Sequence, residues 1–388
     1  MIHLAPMRVG VVGCGSISDI YLRNAPLFPS FKIAGVADIR PEASAAKAAQ
    51  YGINSMTVQA MMTRDDIDAI LNLTIPEAHA PIALQAIAAG KHVYLEKPLA
   101  TSLADARAIL DAAAEAGVRI GSAPDTVLGP GVSTARELIV SGRIGRPLIG
   151  TSAMMNHGME ARHPSPDFFF KPGGGPVLDM GPYYVALMTA LLGGVTAVEA
   201  SGLIGFAERT ITTPGAARQG ETIRVETFTT VQGMLYFECG AQVSFSYSWD
   251  IWKHSLPPLE LHGTEASLRI PDPNFFAGKI EIGVGRDPWE EIDTSALPYG
   301  EPNYPYPGMA GFPDDVKPLF ANYRGLGLAD LATSIAADRP HRASGEVAFH
   351  VLEVLTAIME AATHGRRIHI VSKLGMAIPS SETPALCG

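Results

Sequence analysis

Between residues 8 and 122 the chain alternates short, almost wholly apolar runs with longer stretches of helical pattern. The runs are Arg8 to Val12, Phe31 to Ala37, Ala69 to Leu73, His92 to Leu95 and Val118 to Ser122. Each reads as a strand buried on both faces, because a half-exposed strand would alternate polar and apolar residues. The intervening segments carry helix punctuation: Ser102-Leu103-Ala104-Asp105 opens one with a capping-box-like pattern, and Gly117 closes it. Strands joined by helices predict an α/β fold with a doubly wound parallel sheet. At 388 residues the chain exceeds the usual size of one core, so a second domain is expected. We place the first over residues 1–124 and the second over 125–388.

In an open parallel sheet, ligands bind outside the carboxyl ends of the strands, so the residues that follow each run matter most. After the first run comes Gly13-Cys14-Gly15-Ser16-Ile17-Ser18, a dinucleotide fingerprint between a strand and a helix. Gly13 permits the tight turn, Gly15 lets the backbone approach a pyrophosphate, and Ser18 stands where a third glycine is usual. Asp38 ends the second run, about 25 positions beyond Gly13, near the roughly 20 expected of a ribose-binding acid. Its carboxylate repels a 2′-phosphate, which favours NAD over NADP, although Arg40 partly offsets that repulsion. The alternative reading of Asp38 is a solvated loop aspartate.

The fourth run is followed by Glu96-Lys97-Pro98. A lysine at that sheet edge is placed to reach both a cofactor and a substrate, and Pro98 fixes the backbone as it leaves the strand. The third run leads into Thr74-Ile75-Pro76-Glu77-Ala78-His79. There His79 either caps or lines the helix start, and no acid partner is visible near it in sequence.

Beyond residue 125 the period changes. Val243-Ser244-Phe245-Ser246-Tyr247-Ser248-Trp249 alternates strictly, as a half-buried strand does. Pro147 to Met155, Val225 to Val231, Met234 to Cys239, Leu259 to His262, Lys279 to Val284 and Arg367 to Val371 are further strand candidates, and Val132 to Ser141 and Gly345 to Thr363 are amphipathic helices. Together they predict an α+β domain with a large, mostly antiparallel open sheet. Its second face must be covered, either by the domain's own helices or by a matching sheet in another subunit. Five prolines between Pro298 and Pro313 read as an irregular connection, and the tail beyond Lys373 reads as loose. Gly173-Gly174-Gly175-Pro176 permits a sharp turn into a helix beginning near Asp179, with Asp179 and Tyr183 on one face.

Val9 to Gly15, Ala89 to Pro98 and Gly173 to Tyr183, in that order, make the chain resemble the glucose-fructose oxidoreductase, inositol dehydrogenase and MocA family of nicotinamide-dependent sugar dehydrogenases. The resemblance covers nearly the whole chain. It implies an N-terminal Rossmann domain, an NAD cofactor, a sugar or cyclic polyol substrate, and a homodimer or homotetramer through the C-terminal sheet. It also implies that Thr74 and Pro76 pack against the cofactor, with His79 nearby, and that Asp179 and Tyr183 face the substrate, as in the branch whose motif ends in tyrosine. Asp125-Thr126 stands where the family often carries an Asn and Arg pattern, so a nicotinamide contact does not carry over there, and Asp125 is left as a substrate candidate.

Oxidising a carbinol requires hydride departure and removal of the hydroxyl proton. Tyr183 is the candidate for the second task. A phenol with an ordinary pKa near 10 is only about one-thousandth ionised at pH 7, so a neighbouring cation is needed, and Lys97 supplies it. Asp179 would orient a substrate hydroxyl, and Glu96 would hold Lys97 or line the cofactor site. Taken singly, Glu96 and Lys97 are readable as an exposed ion pair, Asp179 as an N-cap and Tyr183 as a core aromatic. His163 and Lys171, in the polar-aromatic loop before the glycine run, are equally readable as sugar-hydroxyl partners or surface residues. His350 and Arg324 are more remote candidates.

Composition narrows the class. A net charge of −10 without a basic block disfavours nucleic acid, and no apolar run approaches the ~18 residues of a membrane span. The start lacks a signal-peptide pattern, so a cytoplasmic enzyme is expected. Cys14, Cys239 and Cys387 have neither disulfide nor zinc spacing, and no metal site is expected. Two alternatives stand beside the dehydrogenase: a glycosidase that oxidises its substrate transiently with bound NAD, and a non-catalytic sugar or NAD sensor.

Overall fold

The structure, a computed structural model, describes residues 5–304 and 318–374. Cys387, the tail beyond residue 374 and residues 305–317, which take in the later part of the proline-rich connection between Pro298 and Pro313, lie outside the described residues. The chain forms two compact units. One comprises the residues up to Leu128 with Tyr323–Leu352, the other Gly129–Asn322 with the residues from Glu353 onward. A late segment therefore belongs with the first unit, which no single division near residue 124 provides for.

The first unit begins with β1 (Met7–Val12), α1 (Ser18–Asn24), β2 (Phe31–Ala37), α2 (Pro41–Tyr51), α3 (Val58–Met62), β3 (Ala69–Asn72), α4 (Pro76–Ala88), β4 (His92–Leu95), α5 (Leu103–Ala116) and β5 (Ile120–Ser122). The five strands are parallel in the order β2-β1-β3-β4-β5. The order reverses between β1 and β3, and such a switch point opens a crevice at the strands' carboxyl ends. The strands read as continuous apolar runs because helices cover them. Val93, Tyr94 and Leu95 have no exposed surface, and complete burial of one such aliphatic side chain contributes about 1.5–3 kcal/mol. Ala83, Ala86, Ala106 and Ile109 of α4 and α5 complete that core. The capping expectation for α5 is met: Ser102 Oγ accepts the Asp105 N–H at 3.1 Å, and Gly117 ends the helix at φ +68°.

The second unit holds α6 (Pro130–Val140), β6 (Pro147–Met155), α7 (Gly175–Asp179), α8 (Gly181–Leu192), β7 (Val195–Leu203), β8 (Glu208–Thr210), β9 (Thr222–Arg224), β10 (Thr230–Phe237), β11 (Gln242–Ser248), β12 (Leu259–Gly263), β13 (Ser267–Ile270), β14 (Lys279–Gly283) and β15 (Glu290–Asp293). After α9 (Leu326–Ala336) in the first unit come α10 (Gly345–His364) and β16 (Ile368–His369). The large sheet runs β15-β14-β13-β12-β6-β11-β10-β7-β16. Only the β6/β11 pairing is parallel, and β8 and β9 form a separate hairpin. Where the sequence suggested strands at both Val225 to Val231 and Met234 to Cys239, one strand, β10, runs through Gly233. That glycine sits opposite Phe245 and Ala200, with no room for a side chain between the Phe245 ring and the Glu199 carbonyl.

In the first unit the late segment lies against the β5 edge. The Ser122 N–H donates to Ala343 O at 3.0 Å, and Gly121 bridges to Ser344. Phe349 and Leu352, from the first half of α10, join the α4–α5 core.

Candidate functional site

At the carboxyl end of the parallel sheet, Gly13 leaves β1 with φ +102°, and its N–H donates to Ala37 O at 2.8 Å. A Cβ there would stand 2.5 Å from the Leu73 carbonyl oxygen and 2.7 Å from the Thr74 nitrogen. Only glycine satisfies both the left-handed backbone and this approach to the turn after β3. Gly15 is exposed, and a Cβ on it would meet nothing within 4 Å, so this side of the loop is open. Ser16 is exposed and Ile17 half-buried. Ser18 is fully buried, with its hydroxyl donating to Gly15 O at 2.6 Å. A small residue at the third-glycine position thus lets α1 pack closely.

Asp38 ties this loop to β2. One carboxylate oxygen accepts the Cys14 N–H at 2.8 Å, the other the Arg40 N–H at 2.9 Å, and Arg40 Nε lies 3.6 Å away. Each oxygen keeps a further lone pair for ribose hydroxyls. Beside it in sequence Ile39 is 94% exposed, and Ile75, in the turn after β3, is 67% exposed. The loop, the acid and these exposed apolar side chains fit a dinucleotide. The Cys14 thiol is buried and pushed up to about 11 by burial and then by Asp38, so it is a packed, protonated thiol.

Turns after β3 and β4 are held by one histidine. His79 is buried, its Nδ1 2.7 Å from Pro98 O and its Nε2 3.1 Å from Thr74 O. Burial lowers its pKa; a neutral ring has one N–H, and the shorter contact to Pro98 carries it. Asn72, a polar residue with no exposed surface in an apolar strand, accepts both the N–H and the hydroxyl of Thr74 and donates to His79 O. Pro76 starts α4 at the exposed rim. Glu96 is buried; it accepts the Tyr21 hydroxyl at 2.8 Å and the Lys97 backbone N–H at 3.0 Å. Burial and then Glu96 push Tyr21 well up, so it remains a donor. Lys97 is half-buried and precedes a cis proline, Pro98. Tyr21, Asn72 and Ile39 were not singled out from sequence; the polar Asn72 inside an apolar run was the one signal available.

Asp125 faces inward. It is 1% exposed and accepts the N–H groups of Gly325 at 2.9 Å and Gly327 at 3.0 Å. Burial pushes its carboxyl up to about 6. The substrate role left open for it gives way to an anchor for the returning segment.

In the second unit, Gly173 and Gly175 both have φ +90°, and a Cβ on Gly174 would meet Phe168 O at 2.4 Å. α7 starts on the third of these glycines, with Gly174 at its N-cap. The single helix expected from Asp179 is two helices. Asp179 ends α7, Met180 forms the junction at φ −99° and ψ −27°, and Tyr183 lies in the first turn of α8 with its N–H on Met180 O. Asp179 is half-exposed and Tyr183 only 7% exposed. Pro182 sits in the first turn of α8, where it costs no hydrogen bond. His163 packs edge-on against Phe168 and Phe169 and accepts the Ser165 N–H. Lys171 pairs with Glu226 at 2.7 Å. Among the described residues no group of three or more His, Cys, Asp or Glu side chains is arranged to hold a metal ion, and no helix is long and apolar enough to cross a membrane.

Residues 7–123 match the model of an oxidoreductase family with an NAD-binding Rossmann fold, and residues 132–269 match the GFO/IDH/MocA C-terminal domain. The chain is 30% identical over 272 residues to dTDP-3,4-didehydro-2,6-dideoxy-alpha-D-glucose 3-reductase of Streptomyces violaceoruber, covering 68% of this chain and 72% of that protein. It is 35% identical over 143 residues to 1,5-anhydro-D-fructose reductase of Ensifer adhaerens, a match spanning 36% of this chain and 43% of that one. An NAD binding oxidoreductase from Klebsiella pneumoniae shares the fold, with a TM-score of 0.78 at 23% identity over 95% of this chain and all of the other.

Proposed function

The chain belongs to the GFO/IDH/MocA family of NAD-binding oxidoreductases, and from that premise we propose that it transfers hydride between a hydroxyl of a sugar or cyclic polyol and NAD. The observation that carries this reading is the crevice at the β1/β3 switch point, where the open Gly15 loop, the anchored Asp38 and the turn bearing Lys97 meet at one sheet edge. NAD, when bound, supplies the hydride acceptor.

The chain's residues then have separable tasks. Gly13, Gly15, Ser16 and Ile17 present backbone to the pyrophosphate, Asp38 accepts the ribose hydroxyls, and Thr74 and Pro76 line the crevice. Glu96, fixed by Tyr21, holds the backbone of Lys97, and His79 holds Pro98. The Lys97 ammonium stabilises negative charge on the reacting oxygen, Tyr183 as its phenolate takes the hydroxyl proton and Asp179 orients a neighbouring hydroxyl. The first unit is thus the dinucleotide-binding part and the second the substrate-binding part. The two relatives are both reductases of sugar derivatives by name, which favours net redox turnover over transient oxidation or sensing. A cytoplasmic location and a homodimer or homotetramer through the C-terminal sheet complete the reading.

The test is absorbance of the reduced nicotinamide while the purified protein meets NAD, then NADP, with a panel of aldoses, inositols and glycosides. Lys97→Met and Tyr183→Phe should each lose about 10²- to 10⁴-fold in kcat, with NAD affinity retained. Normal turnover in both variants defeats the assignment.

A further inference from the structure

The second unit contains a cavity of about 390 Å³ that shares no residue with the α7–α8 junction, a size within the ~300–1,000 Å³ typical of small-molecule sites. At its base is a charge cluster. Arg209, 4% exposed, donates to Glu160 Oε1 at 2.9 Å and to the carbonyls of His157 at 3.2 Å and Trp249 at 3.0 Å, and also pairs with Asp250. Asp250 is held in turn by the hydroxyls of Thr229 and Thr230. The walls are aromatic: Phe206 lies over the Arg209 guanidinium with 45% of its surface exposed, and Trp252 lies against the His157 ring with 80% exposed.

Three buried polar atoms of these lining residues have no hydrogen-bond partner: Glu160 Oε2, Arg209 Nε and His157 Nε2. Buried polar groups are nearly always satisfied, so three orphans around one cavity call for an explanation. Their chemistry is specific. A carboxylate oxygen only accepts, a guanidinium N–H only donates, and an imidazole nitrogen does one or the other. Hydroxyl groups on adjacent carbons satisfy such a mixed set, because each both donates and accepts. Charge does not favour an anion: Arg162 and Arg209 are matched along the lining by Glu160 and Glu208, and Asp250 pairs with Arg209 from behind. An exposed indole face offers the complement to the C–H side of a sugar ring.

We propose that this cavity is a saccharide-binding site, taking a neutral pyranose or cyclitol ring against Trp252, with its hydroxyls bonded by Glu160 and Arg209. The ligand reaches those atoms as the two exposed aromatic side chains, now resting on His157 and Arg209, give way. The choice of ligand class rests on the reading of this enzyme as a sugar or polyol oxidoreductase, but the lining includes none of the proposed hydride-transfer residues and its occupancy needs no turnover.

The test is calorimetric titration of the full chain without cofactor, using methyl α-D-glucopyranoside, methyl β-D-galactopyranoside and myo-inositol to about 50 mM, with molecular mass measured alongside. Saturable binding of at least one probe is expected. Trp252→Ala, at an exposed position that leaves the fold intact, should weaken it about tenfold or more, and Glu160→Gln likewise. No binding by any probe overturns the site, as does affinity unchanged in both cavity variants. A Trp252→Ala protein that changes mass while keeping its sugar affinity also overturns it, and makes the patch an interface between copies. Failure of nicotinamide reduction with sugar binding intact counts against the oxidoreductase reading alone.

Discussion

Replacing Asp125 by asparagine removes a charge from the interior of the first unit while keeping an oxygen able to accept the Gly325 and Gly327 N–H groups. The carboxyl is fully buried and raised from 3.8 to about 6. Each pH unit separating the folded and unfolded values is worth ~1.4 kcal/mol, so ionised Asp125 costs the folded protein about 3 kcal/mol. Because the folded pKa lies above the unfolded one, the native state holds the extra proton between about pH 4 and pH 6, and stability falls as pH rises through that window. Above it the cost is complete. Urea unfolding of the wild type and Asp125→Asn should therefore give similar stabilities near pH 4 and curves that separate as pH rises, with the asparagine protein ahead by up to about 3 kcal/mol at pH 7. The KM for the sugar should not change, since the side chain faces Gly325 and Gly327. Parallel curves from pH 4 to 8, or a raised KM with unaltered stability, would refute the reasoning.

Gly13→Ala drives a Cβ to 2.5 Å from a backbone carbonyl at φ +102°; the left-handed strain alone is about 1–2 kcal/mol, and NAD affinity by calorimetry should fall more than about tenfold. A wild-type NAD titration would contradict the loop geometry. Asp38→Ala removes the acceptor of the Cys14 and Arg40 N–H groups and the acceptor proposed for the ribose; NAD binding should weaken by about tenfold or more while the preference over NADP narrows, and an unchanged NAD to NADP ratio counts against it. His79→Ala leaves the Pro98 carbonyl without its donor and opens a cavity between the two turns, with an expected loss of about 2–4 kcal/mol in denaturant unfolding. Full stability would mean that the two turns hold themselves.

The strand and helix alternation, the glycine turn after β1, the place of Asp38 at the end of β2, the α5 cap and the late amphipathic helix were legible in the sequence. They depend on periods of two and 3.6 residues, on a left-handed turn at Gly13, or on a cap four residues long, all written over neighbouring positions. The break at Met180 was not legible, because a proline one residue inside a helix and an isolated αR junction leave the same pattern. Nor were the roles of buried polar residues. Asp125 reads as a crossover aspartate until Gly325 and Gly327 are folded onto it. Glu96 reads as an ion-pair partner of Lys97 until Tyr21 reaches it from α1. His79 has no visible partner until two turns bring carbonyls to both ring nitrogens, and the Arg209, Glu160 and Asp250 cluster joins three separate stretches of chain. Local sequence fixes backbone geometry and the face an element buries, since those follow from neighbouring residues. Which buried charge meets which donor is decided by contacts closed across long loops, and these impose no period on the chain that carries them.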